Sequence, residues 1–249
     1  MTALSFHDVW VEYGDSVILE RLSLEVKAGS FVSVVGPSGV GKSTLLRLVL
    51  GQEAPTKGRI LLDGEPLHAE PGPDRGVVFQ RYSVFPHMTV LKNVMFGLEC
   101  SGRRAGARAE AEEMLRRVGL GHSLASYPSA LSGGMQQRLA LAQALITRPR
   151  ILLLDEPFGA LDPGVRVDMH VLITELWREH GLTILMVTHD IREAFKLGTR
   201  VVAIDKRRHD PQAPHRYGST AVYDFPLDKP DAVPPDGFQE LAARMAKAS

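Results

Sequence analysis

The sequence predicts an α/β fold: a core with a mainly parallel sheet and crossover helices, an N-terminal antiparallel β subdomain, and an inserted α-helical lobe. Three observations predict it. Between residues 31 and 204 apolar runs of strand length alternate with helical stretches, the pattern of parallel strands joined by crossovers. The first thirty residues alternate apolar and polar as hairpin strands do. From Gln80 to Arg150 the pattern is nearly all helical, so this insertion is expected to form its own lobe.

Taken in order, Val9–Tyr13, Val17–Leu19 and Leu22–Val26 read as strands, with a turn at Gly14-Asp15. Phe31–Val35 is apolar throughout, as a strand buried on both faces requires. It runs into Gly36–Thr44, and Thr44–Leu50 has helical composition. Gly58–Gly64 reads as a strand closing on an Asp-Gly turn, and Gly76–Gln80 as another short strand. Helical pattern from Val90 to about Leu145 is interrupted at Ser101-Gly102 and Gly119-Leu120-Gly121. Ile151–Asp155 is a buried strand ending in a carboxylate, Pro163–His180 a helix, and Thr183–Val187 a strand. After Asp205, six prolines in a short polar segment predict an extended tail, and Gly237–Ala248 is expected to close as one short amphipathic helix.

Composition narrows the function classes. The chain has 249 residues, 29 basic and 29 acidic, so it lacks the basic excess with which a sequence-independent nucleic-acid binder neutralises phosphates; no nucleic-acid partner is expected. No stretch approaches the roughly 18 apolar residues of a spanning helix. The first residues have neither the basic region nor the apolar run of a signal peptide, and a single cysteine suits a reducing compartment. A cytoplasmic protein is expected, reaching a membrane only through a partner, with Cys100 as a buried or half-buried small apolar residue.

The string Gly36-Pro37-Ser38-Gly39-Val40-Gly41-Lys42-Ser43-Thr44 lies between a strand and a helix, which is the context of a phosphate-binding P-loop. Gly36, Gly39 and Gly41 permit a tight backbone path that turns successive N–H groups toward phosphate oxygens, at the positive end of the following helix. Lys42 supplies a mobile charge for the β- and γ-phosphates, and Ser43 a hydroxyl for Mg²⁺. Asp155 ends a buried strand, where a carboxylate is costly unless it faces a cation or donors. A P-loop needs such an acid to hold Mg²⁺. Its neighbour Glu156 points elsewhere and suits a general base polarising water. An isolated Asp-Glu pair would equally be a helix cap or a surface carboxylate.

With Leu131-Ser132-Gly133-Gly134-Met135 the chain resembles the ATP-binding subunits of ABC transporters, over nearly its whole length to about residue 205. Met135 stands where glutamine is the commoner choice. The resemblance implies a P-loop NTPase core over residues 1–205, with the helical lobe at about 81–150 inserted and a Pro-rich tail at 206–249. It implies that Ser132, Gly133 and Gly134 bind the γ-phosphate held by the P-loop of a second copy. It places Tyr13 on adenine, Gln80 at Mg²⁺ and the attacking water, Asp162 at the dimer interface, and His189 at the γ-phosphate. Read alone, Tyr13 is a strand aromatic and Asp162 a helix cap.

The implied protein is a homodimeric ATPase that closes around two ATP with Mg²⁺, sits under transmembrane permease subunits at the inner face of the cell membrane, and serves a solute-binding protein indirectly. Val84, Phe85 and Met88 lie where such proteins receive a coupling helix, though local packing explains each equally well. The chain has no room for the regulatory β-domain of many relatives and is closest in type to the nitrate, sulfonate and taurine importer group. Two rivals share the P-loop. A soluble non-transport ABC ATPase usually carries a coiled coil or two cassettes in one chain, and a small-molecule kinase has no use for Leu131–Arg138. Asp205–Pro211 matches no motif; it binds a partner or caps the sheet.

Overall fold

The computed structural model describes residues 2–80, 83–227 and 238. In chain order the elements are β1 (Thr2–Tyr13), β2 (Ser16–Lys27), β3 (Phe31–Val35), α1 (Lys42–Leu50), β4 (Lys57–Leu62), β5 (Glu65–Pro66), β6 (Arg75–Val78), α2 (Val90–Cys100), α3 (Ala107–Arg117), a 3₁₀ turn at Pro128–Ala130, α4 (Gly133–Ile146), β7 (Ile151–Asp155), α5 (Pro163–His180), β8 (Thr183–Thr188), α6 (Ile191–Leu197), β9 (Arg200–Lys206) and β10 (Ser219–Pro226). They fall into two compact units: residues 1–71 with 181–249, and residues 72–180.

In the first unit the strands run in the order β5-β4-β1-β2-β10-β9-β3-β8. β1, β2, β4 and β5 pair antiparallel, the hairpin turning at Gly14-Asp15. β3 is parallel to both β8 and β9. Every residue of β3 and β8 is buried, which is why these strands read as continuous apolar runs rather than as alternation. The three strands read near the N-terminus are two long ones, because bulges in the β1–β2 ladder break the alternation without breaking the pairing.

The segment after Asp205 differs from an extended tail. Ser219–Pro226 forms β10, antiparallel to β9 and touching β2 at Ser219–Leu19. Phe238 is 1% exposed and meets Phe195 and Phe225 at ring separations of 5.3 Å each. With Val35, Ala194, Val201 and Ala203 it forms a core cluster. Apolar burial outweighs the proline signal here: a buried phenylalanine contributes about 1.5–3 kcal/mol. The helix expected at Gly237–Ala248 lies, apart from Phe238, outside the described residues.

In the second unit β6 and β7 pair in parallel, and α2, α3 and α4 pack together as the helical lobe. Asn93, 1% exposed on α2, pins the loop before it. Its amide nitrogen donates to the carbonyls of Phe85 (3.1 Å), Met88 (3.0 Å) and Thr89 (3.0 Å), while its oxygen accepts from the Phe85 N–H at 2.7 Å. Cys100 is exposed, contrary to expectation. α2 buries the face carrying Val94 and Leu98, and two further residues of helical rotation turn position 100 to the opposite side.

Candidate functional site

The first unit carries the phosphate loop. β3 and β8 end level with each other, Val35 pairing with Thr188, so Gly36 and His189 leave the same end of the sheet. Gly36 is glycine for a steric reason: a Cβ there would lie 2.4 Å from the Ile204 carbonyl oxygen of β9. Gly39 (φ 76°) and Gly41 (φ 100°) take the left-handed conformation that curls the loop, and Gly41 is the residue before α1. The ammonium of Lys42 donates to the carbonyl oxygens of Gly36 (2.7 Å) and Pro37 (3.0 Å), which holds its charge inside the loop. Ser38, Gly39 and Ser43 are exposed, Pro37 and Gly41 half-buried, and Val40 and Thr44 buried. The cradle suits a polyphosphate: it combines a cation, a helix N-terminus and backbone that approaches where side chains would collide.

Tyr13 ends β1 with 45% of its surface exposed. Its hydroxyl donates to the Glu53 carboxylate, and Arg47 reaches the same hydroxyl (3.4 Å), Glu53 (3.3 Å) and Thr44 Oγ1 (3.1 Å). Burial, then the hydrogen bond and charge of Glu53, raise the phenol above its usual pKa against an opposing effect of Arg47, so it stays a neutral donor. A chain of hydrogen bonds thus links the phosphate end of α1 to an aromatic face open to solvent. Nothing in the local sequence pointed to Glu53 or Arg47.

His189 is exposed on a turn fixed at both ends. Thr188 Oγ1 donates to Glu193 at 3.0 Å and accepts from the Asp190 N–H at 3.0 Å, while Asp190 caps α6 by accepting from the Glu193 N–H at 3.1 Å. Glu193 is 5% exposed, and its only advance signal was the Asp190-x-x-Glu193 spacing of a helix start.

The second unit carries the carboxylates. β6 and β7 pair Val78 with Leu154, so Gln80 and Glu156 follow at equivalent positions. They converge on Gly159: a Cβ there would sit 3.8 Å from Gln80 Nε2 and 4.0 Å from Glu156 Oε2. Asp155 ends β7 half-buried. Glu156 has φ 44°, a conformation that costs about 1–3 kcal/mol in a residue other than glycine and turns its side chain off the strand direction. Phe158, 1% exposed, stacks edge-on against His170 of α5 at 4.7 Å and anchors this turn.

Ser132 caps α4, its hydroxyl accepting from the Met135 N–H at 3.4 Å, and Gly133 and Gly134 form the first turn. The first N–H groups of a helix have no intrahelical acceptor, so this end attracts an anion. A Cβ at Gly134 would lie 2.4 Å from Val165 Cγ1 of α5. Asp162 is exposed before Pro163, its carbonyl accepting the Arg166 N–H at 2.9 Å. Tyr13, the 36–44 loop and His189 therefore belong to one unit, and Gln80, Asp155, Glu156, Ser132–Gly134 and Asp162 to the other.

Residues 19–159 match the family model described as ABC transporter. The aliphatic sulfonates import ATP-binding protein SsuB of Escherichia coli K12 is 43% identical over 249 residues, covering 98% of this chain and 95% of that protein. SsuB 1 of Burkholderia cenocepacia is 44% identical, covering 98% of this chain and 71% of that protein. Among solved structures, the dimeric post-hydrolysis state of the ATP-binding cassette MJ0796 bound to ADP and Pi is 30% identical, with a TM-score of 0.74 over 91% of this chain and 99% of that one. CbiO1 of Clostridium perfringens, part of the transporter complex cbiONQ, has a TM-score of 0.77 at 25% identity, over 98% of this chain and 92% of that one.

Proposed function

The chain belongs to the ABC transporter family as an ATP-binding, ATP-hydrolysing subunit, and from that premise we propose that it powers import of aliphatic sulfonates or a chemically similar small anion. The observation that carries the hydrolytic reading is the convergence of Gln80 and Glu156 beside a glycine, with Glu156 held at positive φ. The cargo reading is supported by near-full-length identity to sulfonate import ATP-binding proteins.

In this reading Lys42 and the amides of the 36–44 loop bind the phosphates, and Tyr13, its hydroxyl fixed by Glu53 and Arg47, presents its ring to adenine. Ser43, Gln80 and Asp155 would hold Mg²⁺. The residues fit that role: a hydroxyl, an amide and one carboxylate leave positions for phosphate and water oxygens, as Mg²⁺ prefers. Among the described residues no group of three His, Cys, Asp or Glu is arranged to hold a metal by itself. The ion would neutralise charge on the β- and γ-phosphates. Glu156 takes a proton from the attacking water, Gln80 orients that water, and His189 donates to the γ-phosphate.

Ser132, Gly133 and Gly134 of a second copy complete the site, with Asp162 shaping the interface, so ATP favours a closed homodimer. Hydrolysis removes the charge that held the two copies together, and the population shifts to the open form. Permease subunits transmit this change, and a solute-binding protein delivers the cargo. Among the described residues no helix is long and apolar enough to cross a membrane, consistent with a peripheral position on the cytoplasmic face through the permease.

Glu156→Gln tests the assignment. It is expected to bind ATP normally, to accumulate as a dimer by light scattering, and to lose about 10²–10⁴-fold in turnover. Hydrolysis at the natural rate would remove Glu156 from the mechanism.

A further inference from the structure

Asp205–Pro211 has no part in the chemistry above. In the first unit it begins the loop that leaves β9 and returns as β10. Arg207 donates to the Ala221 carbonyl at 2.9 Å. The Arg208 guanidinium lies 4.2 Å from the centre of the Tyr217 ring and also donates to the Glu20 carboxylate, whose second oxygen accepts the Gly218 N–H at 3.1 Å. Arg21 stands at positive φ beside Glu20 (51°). Arg21, Arg207 and Arg208 line, with Glu20 and Gly218, an open depression of about 550 Å³; the Arg21 guanidinium also lies 5.9 Å from the centre of the Trp10 ring.

We propose that this depression binds a tetrahedral oxyanion, phosphate or sulfate, either free or as a monoester, and that its occupancy is felt by the phosphate loop. The chemistry is specific. Arg207 and Arg208 each engage protein with one terminal nitrogen, which leaves the rest of each planar fork for bidentate contact with oxyanion edges. The Tyr217 ring, 4.2 Å away, holds the Arg208 guanidinium beside the depression, so less side-chain freedom is lost on binding. The net positive balance selects an anion.

The connection to the loop is steric. Val17 donates to the His215 carbonyl at 2.9 Å, and a Cβ on Gly218 would lie 2.8 Å from the Leu19 carbonyl carbon. Two residues of that same β2 segment, Ile18 and Leu19, approach a Cβ on Gly41 to 3.1 and 3.0 Å. β2 is thus the wall of the depression and the support beneath Gly41. An oxyanion that draws Arg208 from Glu20 loosens the clamp on this strand.

The test is calorimetric titration of the full chain with inorganic sulfate, inorganic phosphate and glycerol phosphate. Arg207→Ala/Arg208→Ala should weaken binding at least about tenfold, the loss of charge-assisted contacts. Lys42→Ala should still bind. Glu20→Gln, which removes the competing charge and keeps an acceptor for Gly218, should tighten binding about threefold or more, a direction that misfolding does not produce. Tighter binding of the monoester assigns the site to esters, and equal affinity assigns it to the free ion. Unchanged affinity in the double variant, or loss of all anion binding in Lys42→Ala, would overturn the site. Saturating sulfate should alter ATP affinity at least about twofold more in the natural chain than in the double variant; identical responses would overturn the coupling.

Discussion

Gly36→Ala separates two reasons for which the phosphate loop needs glycine. The new Cβ would lie 2.4 Å from the Ile204 carbonyl oxygen, 2.9 Å from Val40 Cγ1 and 3.2 Å from Ile204 Cγ1. The two side-chain contacts are relieved by small rotations. The carbonyl is not so easily moved, because β9 is held in register against β3 on one side and β10 on the other. Clearing even 3.0 Å means shifting backbone. Overpacking of this kind costs about 1–3 kcal/mol, and the upper half is expected because backbone must yield. Gly39 is the control: a Cβ there meets nothing within 4 Å, but φ is 76°, so Gly39→Ala costs only the left-handed penalty of about 1 kcal/mol. Urea unfolding followed by circular dichroism should place Gly36→Ala below Gly39→Ala in midpoint. ATP affinity of Gly36→Ala should fall about tenfold or more, since the displaced segment includes the carbonyl that positions Lys42. Equal midpoints together with natural ATP affinity in Gly36→Ala would refute the steric account.

Three further outcomes follow from the geometry. Lys42→Ala should lower ATP affinity at least about tenfold, because its charge serves phosphate; fluorescent-nucleotide titration reads this, and unchanged affinity removes Lys42 from the phosphate site. Asn93→Ala leaves the Phe85–Thr89 loop without its buried partner and should cost about 2–4 kcal/mol, with faster amide exchange at Phe85 as the local sign; natural exchange there would contradict the pinning role. Phe238→Ala empties the position against Phe195 and Phe225 and should cost about 3–5 kcal/mol. A cost below about 1 kcal/mol would show that residues after β10 are dispensable to the core.

Much of the fold was legible because its cues are local. Phe31–Val35 is a contiguous apolar run, and the boundaries of α5 follow from Pro163 at its first position and Gly181 beyond its last. The glycine loop and Ser132-Gly133-Gly134 are equally contiguous, so their anion-binding backbone could be recognised without a partner in view. Cys100 misled because residue type says how often a side chain is buried, while the phase of α2 says which way it faces. In the tail, prolines at both ends concealed the strand: Thr220–Phe225 pairs with β9 across the long Lys206–Ser219 excursion, a partnership that no local window contains.

The sequence by itself determined the chemistry on offer: a phosphate loop, an acid pair after a buried strand, a second anion-binding helix start, and a histidine after another strand. Each is a short string whose backbone conformation follows from its own residues. Only the tertiary structure decided that Glu53 and Arg47 hold Tyr13, that Gln80 and Glu156 meet at Gly159, that Val165 closes on Gly134, and that the last strand enters the sheet. These contacts join residues far apart in the chain. Their energy comes from packing and burial, which a local pattern of residues does not encode.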